Sequence, residues 1–254
     1  MKTPILSDMI EMFSEKLNLY EFRRKLATSI LYRLTKKEEK CRTLSERINL
    51  YFKVFQNVPL NYVGWSISPL QIRAEMETLL TKLTERKIRV MLEIGTAQGG
   101  TLYLFTRILN SDAEIVSLDL PDGDFVGSYP SYKKAFYASF ARDNQRIFLV
   151  KANSHEKSSL ETVKSILEGK KLDFLFIDGD HSYEGVQADF KMYGPLVREG
   201  GLIAFHDICQ SRGTGLEYSG TVFKFWKETR KMYPYEEIIN NPNQDGYGIG
   251  IIYW

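Results

Sequence analysis

From Val90 onward the chain alternates short apolar runs with amphipathic stretches, and no other feature constrains its fold as tightly. The runs are Val90–Ile94, Glu114–Asp119, Ile147–Val150, Leu172–Ile177 and Gly201–Phe205. Near-continuous apolar residues are what a strand buried on both faces requires. Between them, 102–109, 132–140, 160–167 and 186–193 carry apolar residues at helical spacing. Strand and helix in regular alternation predict an α/β fold, a parallel sheet with helices on both faces. The tail breaks the pattern. Val222–Tyr233 reads as an amphipathic helix, and Glu236–Ile239 and Gly248–Tyr253 as strands. Residues 240–247 are too few for a helical crossover, so these two strands should be antiparallel neighbours.

Residues 1–61 read as an N-terminal helical extension, and 62–254 as the main domain. Leu26, Ile30, Leu31 and Leu34 recur at helical spacing, as do Leu44, Ile48, Tyr51, Phe52 and Phe55. Asn57–Gly64 reads as a boundary loop. The extension is expected to pack on the main domain, with a dimer arm or substrate cover as the other reading, and a homodimer is plausible. Ser68-Pro69-Leu70-Gln71 reads as a helix start, with Ser68 as cap and Gln71 completing a capping box. Basic and acidic residues nearly balance, 34 against 32. The basic excess of a nucleic-acid binder is missing, so no nucleic-acid partner is expected. Cys41 and Cys209 alone make neither a disulfide framework nor a four-cysteine zinc site. Asp8 and Glu11 interrupt the first apolar residues, and no run is long enough to span a bilayer. The expectation is a cytoplasmic protein with no membrane partner.

In a parallel sheet, ligands bind beyond the carboxyl ends of the strands. After the first strand comes Glu93-Ile94-Gly95-Thr96-Ala97-Gln98-Gly99-Gly100. Glycine permits positive φ and a close approach of backbone to a ligand. Ala97 occupies the middle position of the dinucleotide pattern, and Glu93 stands where a pyrophosphate binder avoids negative charge. An acid beside a glycine turn suits a ligand with a cationic end. S-adenosylmethionine has one, with an ammonium and a sulfonium centre. Asp119 closes the second strand and can accept both ribose hydroxyls. Glu93, Gly95, Thr96, Ala97, Gly99 and Asp119 are therefore the candidate cofactor residues. Asn153 and Ser154, after the third strand, are candidates for the adenine edge, or else form a helix-capping turn. The loop Pro121–Pro130 reads as a closing loop over the cofactor.

A second cluster follows the fourth and fifth strands: Asp178, Asp180, His181, Ser182, and then His206-Asp207. Sequential strands tend to be neighbours, so these groups should converge beside the methyl group. Converging ionisable groups are expensive unless paired or metal-bound. Two functional readings stay open. Asp178, His206 and Asp207 hold a divalent ion such as magnesium, which lowers the pKa of a substrate hydroxyl. Alternatively His181 is the general base without metal, its ring oriented by Asp180 or Asp207. His206 is softer than magnesium favours, which leaves manganese, iron or zinc open. The plain structural reading is that Asp180 or Ser182 caps the following helix. His155 reads as a surface or capping histidine. Residues 209–220 read as the acceptor side of the site.

The segments DFLFIDGDHSYEGVQADF and GPLVREGGLIAFHDI, with GTVFKFWKE at 220–228, carry a resemblance. The stretch resembles class I S-adenosylmethionine-dependent methyltransferases, in the group of cephalosporin-hydroxylase-like proteins and macrolide-sugar O-methyltransferases. It implies a Rossmann-like seven-stranded, mostly parallel sheet with an antiparallel last strand. It implies metal ligands at Asp178 and at His206-Asp207, a base at His181, and Asp178 also at the cofactor. Where related metal enzymes carry an acid or amide, this chain has His206. The implied activity is O-methylation of a small-molecule or sugar hydroxyl. A hydroxylase-like metal-assisted reaction or a non-catalytic binder on the same fold are the alternatives.

Overall fold

The computed structural model describes residues 19–33, 36–55, 67–121, 129–211 and 220–254. It divides into two compact units, Met1–Ile67 and Ser68–Trp254. In the first, residues 19–33 are helical, a 3-10 turn covers Lys36–Lys40, and α1 covers Leu44–Phe55. A capping box opens α1: Thr43 Oγ1 accepts from the Glu46 amide at 3.1 Å, and Glu46 Oε2 accepts from the Thr43 amide at 3.3 Å. Tyr51 is buried and donates to Glu38 Oε1 at 2.5 Å, which ties α1 to the 3-10 turn. The expected boundary loop, 57–64, lies outside the described residues.

The second unit is the expected α/β sheet. Its strands are β1 Val90–Ile94, β2 Glu114–Asp119, β3 Arg146–Lys151, β4 Leu172–Ile177, β5 Val197–His206, β6 Tyr235–Ile238 and β7 Ile249–Tyr253. Their order is β3-β2-β1-β4-β5-β7-β6. β1 pairs in parallel with both β2 and β4, so the strand order reverses at its carboxyl end. β7 runs antiparallel to β5 and to β6, as the short connection requires.

The helices are α2 Arg73–Thr84, α3 Gly100–Ile108, α4 Lys134–Ala138, α5 Lys157–Leu167, α6 Tyr183–Tyr193 and α7 Val222–Thr229. Val163 and Leu167 of α5 and Val186 and Tyr193 of α6 share one core with Leu92, Ile94, Leu175 and Ile177. Phe105 of α3 meets Phe174 and Phe176 edge-on, with centroids at 5.6 and 5.4 Å. The alternation of side chains along β1 and β4 thus feeds two cores, one on each face.

Three elements differ from the sequence reading. α2 begins at Arg73 with Ile72 before it, and no side chain caps it. Ser68 Oγ instead donates to the neighbouring Pro69 carbonyl. The segment 68–72 stays outside the helix and packs elsewhere: a Cβ on Gly100 would lie 2.0 Å from the Pro69 nitrogen. β5 starts early, at Val197 opposite Leu172, and then bulges before resuming at Leu202 opposite Phe174. α7 stops at Thr229, which frees Tyr233 to stack on Trp254 at 5.3 Å.

The carboxyl ends of β1 and β4 close tightly on each other. The Asp178 amide donates to the Ile94 carbonyl at 2.9 Å. Gly95 has φ +90°, and a Cβ there would lie 2.0 Å from the Asp178 carbonyl oxygen. Both the angle and the space exclude an L side chain. Gly95→Ala is therefore expected to destabilise the domain by about 3 kcal/mol or more. That corresponds to a fall in melting temperature of roughly 6–12 °C. An unchanged melting curve by circular dichroism would show that the two ends separate freely.

Candidate functional site

Glu93 lies in β1 opposite Phe176 of β4, on the face that α3 covers. It is 0% exposed, and neither carboxylate oxygen accepts a hydrogen bond from a described residue. Burial pushes its pKa up to about 8, with Asp119 and Asp178 adding repulsion and the Thr101 and Thr96 hydroxyls opposing. A fully buried acid with no more than these two hydroxyls near it is an acceptor suited to a cation or a proton.

The turn after β1 is shaped mainly by the chain itself. The glycines, read from sequence as openings for a ligand, are each filled by a neighbouring group. The Asp178 carbonyl occupies the space at Gly95, and the Tyr137 ring lies 2.8 Å from a Cβ built on Gly99. Tyr137 also donates to the Ala97 carbonyl at 3.2 Å, and its ring packs on Tyr129 at 4.8 Å. Thr96 Oγ1 shares a short hydrogen bond with Ser117 Oγ of β2. Asp119 accepts from the Ala97 amide at 3.2 Å and from the Leu120 amide at 3.0 Å. Burial raises its pKa to about 6, while those two amides and that of Tyr129 pull the other way. Asp119 thus anchors the turn, and its remaining lone pairs are what it can offer a diol.

Asn153 and Ser154 follow β3. Asn153 Oδ1 accepts from the His155 amide at 2.9 Å, and the Ser154 carbonyl accepts from Tyr193 Oη at 2.8 Å. These bonds are those of a turn that opens α5. His155 is half-buried, and Nε2 lies 3.5 Å from Oδ1 of the fully buried Asp189 on α6. This pairing raises the His155 pKa, against desolvation. The sequence reading of His155 had no place for Asp189.

The second cluster does converge. His181 Nδ1 and Asp207 Oδ2 are 2.5 Å apart. His206, buried at the end of β5, has Nδ1 3.1 Å from Asp178 Oδ1 and 3.2 Å from Asp207 Oδ1. Desolvation disfavours the charged ring, but Asp178 and Asp207 outweigh it and raise the His206 pKa well above its ordinary value. Burial likewise resists a charged Asp207, yet His206 and His181 hold its pKa down. The His181 pKa is also raised: desolvation lowers it, and Asp207 and Asp178 prevail. Asp180 and Ser182 serve the following helix, as their plain reading had it. Ser182 Oγ accepts from the Gly185 amide at 2.9 Å, and Asp180 Oδ1 from the Ser182 amide at 2.8 Å. The His181 carbonyl accepts from the Thr221 amide at 2.8 Å, and a Cβ on Gly220 would lie 1.8 Å from that carbonyl. The start of α7 thereby fixes the His181 turn.

Among the described residues, one group of donor atoms gathers closely enough for a metal ion: Asp178, His181 and Asp207, all within 4.8 Å of one another. His206 lies beside this group with its ring between the two carboxylates, which raise its pKa. Two carboxylate oxygens and an imidazole nitrogen suit a divalent ion. Most of the loops expected at 121–130 and 209–220 lie outside the described residues.

Two residues escaped the sequence reading. Gln71, read as a capping residue, donates from Nε2 to Asp178 Oδ2 at 2.5 Å. Glu75, buried on α2, accepts from the Asn240 amide at 3.1 Å, Gln244 Nε2 at 2.7 Å and the Gly248 amide at 3.1 Å. That clip holds the β6–β7 connection, where Tyr247 lies with its ring 6.1 Å from His206. Both contacts span more than a hundred residues, and no local pattern announces them.

The seven-stranded, mostly parallel sheet with an antiparallel last strand is a Rossmann-like fold shared with solved methyltransferase structures. Residues 92–208 match a family model described as a methyltransferase domain. Among solved structures, an O-methyltransferase from Bacillus cereus in complex with S-adenosylhomocysteine is similar at 17% identity, covering 87% of this chain and 96% of that one with a TM-score of 0.52. CalS11, a TDP-rhamnose 3'-O-methyltransferase of calicheamicin biosynthesis, is similar at 18% identity, covering 91% and 93% with a TM-score of 0.54. At such identities these likenesses concern the fold. An uncharacterized protein of Acanthamoeba polyphaga mimivirus is 29% identical over 128 residues, 50% of this chain and 55% of that protein. An uncharacterized protein of Sinorhizobium fredii is 26% identical over 170 residues, 65% of this chain and 17% of that protein. The matches thus span about half or less of these relatives. No helix among the described residues is long and apolar enough to cross a membrane.

Glu93 gives a test of the unpaired acid. An acid whose folded pKa is raised stabilises the fold fully below its unfolded value, near 4.5, and the contribution is lost as pH rises through about 8. The ligand-free protein should therefore melt at a lower temperature at pH 8.5 than at pH 5.5, and Glu93→Gln should remove much of that fall. The expected gain at pH 8.5 is on the order of 1–3 kcal/mol. Parallel melting profiles for parent and variant would mean that Glu93 has a donor and is ionised throughout.

Proposed function

We propose that this chain transfers a methyl group from S-adenosylmethionine to a hydroxyl of a small molecule or sugar, with His181 as the base. One observation carries the reading: Asp207 grips His181 Nδ1 at 2.5 Å beside Asp178, at the strand ends where Glu93 lies buried without a cationic partner among the described residues. The buried acid fits the cationic amino-acid end of the cofactor, and Asp119 fits its ribose. When bound, the cofactor supplies a methyl group on a sulfonium centre.

Methyl transfer is an in-line displacement, so most of the work is positioning the acceptor oxygen. The cofactor would give up its methyl carbon to that oxygen and keep the electron pair of the carbon–sulfur bond on sulfur. The acceptor proton must leave. Asp207 on Nδ1 sets the tautomer that leaves Nε2 of His181 to take it. His206, lying between Asp178 and Asp207, offsets the repulsion between their carboxylates. Asp178 and Asp207 would offer carboxylate oxygens to a divalent ion, magnesium first, leaving Nε2 of His181 for the acceptor proton. Such an ion would lower the pKa of the acceptor hydroxyl.

Calorimetry with S-adenosylhomocysteine should show saturable binding, and the absence of heat would end the reading. With an accepted hydroxyl substrate, His181→Ala should reduce turnover about 10²- to 10⁴-fold while leaving S-adenosylhomocysteine affinity within roughly threefold. Because the base must be neutral, turnover should rise with pH through an apparent pKa above 6.5, and this step should vanish in the variant. A variant that keeps both the rate and the pH step would remove His181 from the chemistry. Chelation followed by magnesium return separates the two modes: loss and recovery of turnover support the ion, and unchanged turnover leaves His181 acting without it.

A further inference from the structure

The segment before α2 carries a polar group that the chemistry above does not use. Residues 68–71 connect two parts of the site edge. Ser68 and Pro69 press on Gly100 at the start of α3, and Gln71 reaches Asp178 at the end of β4. Gln71 belongs to no helix, and its side chain is half-buried. Its two amide atoms face different tasks. Only Nε2 can face the Asp178 carboxylate, because two acceptors at that separation repel, so the orientation of the amide is fixed by chemistry. Oε1 is then turned away from Asp178. It is buried and accepts no hydrogen bond from a described residue.

Both oxygens of Glu93 are likewise buried, and the Thr101 and Thr96 hydroxyls are the donors that face them. Glu93 pairs across the β1–β4 seam with Phe176, two residues before Asp178. Gln71 Oε1, with no described donor, and the Glu93 carboxylate, with only the Thr101 and Thr96 hydroxyls near it, thus lie on two residues that flank one carboxylate. Buried acceptors rarely stay unmatched, so their shared need is for a donor-only group. A primary ammonium has three N–H donors and no acceptor, which answers that need.

We propose that Gln71 is a binding residue for the ammonium of the nucleoside's amino-acid moiety, its Oε1 accepting beside Glu93 while its Nε2 orients Asp178. This rests on the cofactor reading above and adds to it a residue that lies ahead of the matched domain, 92–208. The segment 68–71 then acts as the wall of the amino-acid pocket, and it discriminates ligands by the presence of that ammonium.

The test compares two nucleosides by calorimetry on the full chain. S-adenosylhomocysteine carries the ammonium, and 5'-methylthioadenosine keeps the adenosine and the thioether without it. Gln71→Met, close to isosteric, should weaken S-adenosylhomocysteine about tenfold, the scale of one hydrogen bond to a charged group. Its affinity for 5'-methylthioadenosine should stay within roughly twofold of the parent. The ratio of the two affinities is the readout, because general damage to the site lowers both together. Should Gln71→Met fold poorly, Gln71→Leu is measured the same way. An unchanged ratio in a variant whose parent binds S-adenosylhomocysteine overturns the role of Gln71 and leaves the cofactor reading standing. A parent that binds neither nucleoside overturns both.

Discussion

The close approach of β1 and β4 at their carboxyl ends governs the rest of the site. Gly95 admits the Asp178 carbonyl into the space a side chain would take. That contact sets Asp178 beside the end of β1, and with it the position of every group that leans on Asp178. His206 reaches it from β5, and Gln71 reaches it from the segment before α2. Sheet twist alone would not bring three such distant stretches to one carboxylate. The strand order does, because β1 lies between β2 and β4 and the crossovers diverge there.

Charge is distributed unevenly around this point. On the β4–β5 side, two carboxylates and two imidazoles sit within short reach, and each acid has an imidazole partner. On the β1 side, Glu93 has none. A buried pair roughly offsets its own desolvation, whereas a lone buried acid is a standing destabilisation. The folded chain keeps that strain at Glu93, next to the turn that Asp119 and Tyr137 hold rigid. The arrangement suits a site whose last partner arrives with the ligand.

Much of the fold is readable because the sheet is buried on both faces. Its strands must be apolar throughout, and Val90–Ile94 or Leu172–Ile177 cannot be anything else in a chain with this alternation. The antiparallel tail follows from the length of its connection. The candidate acids were readable for a related reason: polar residues that close apolar strands fall on the ligand edge of such a sheet. Less readable was what the glycines do. Their spacing after β1 suggests a ligand cradle, and the neighbours that fill the space, Asp178 and Tyr137, come from 83 and 38 residues away in the chain.

The sequence by itself determined the strands, their burial and the acids at their ends, because period and composition are local properties. Tertiary structure alone decided partnership. It made Gln71 a ligand of Asp178 rather than a helix cap, turned Glu75 into the clip on the β6–β7 connection, and paired His155 with Asp189. It also chose Asp207 over Asp180 as the partner of His181. Hydrogen bonds and ion pairs depend on distances of a few ångströms, and only the packed sheet sets such distances between residues remote in the chain.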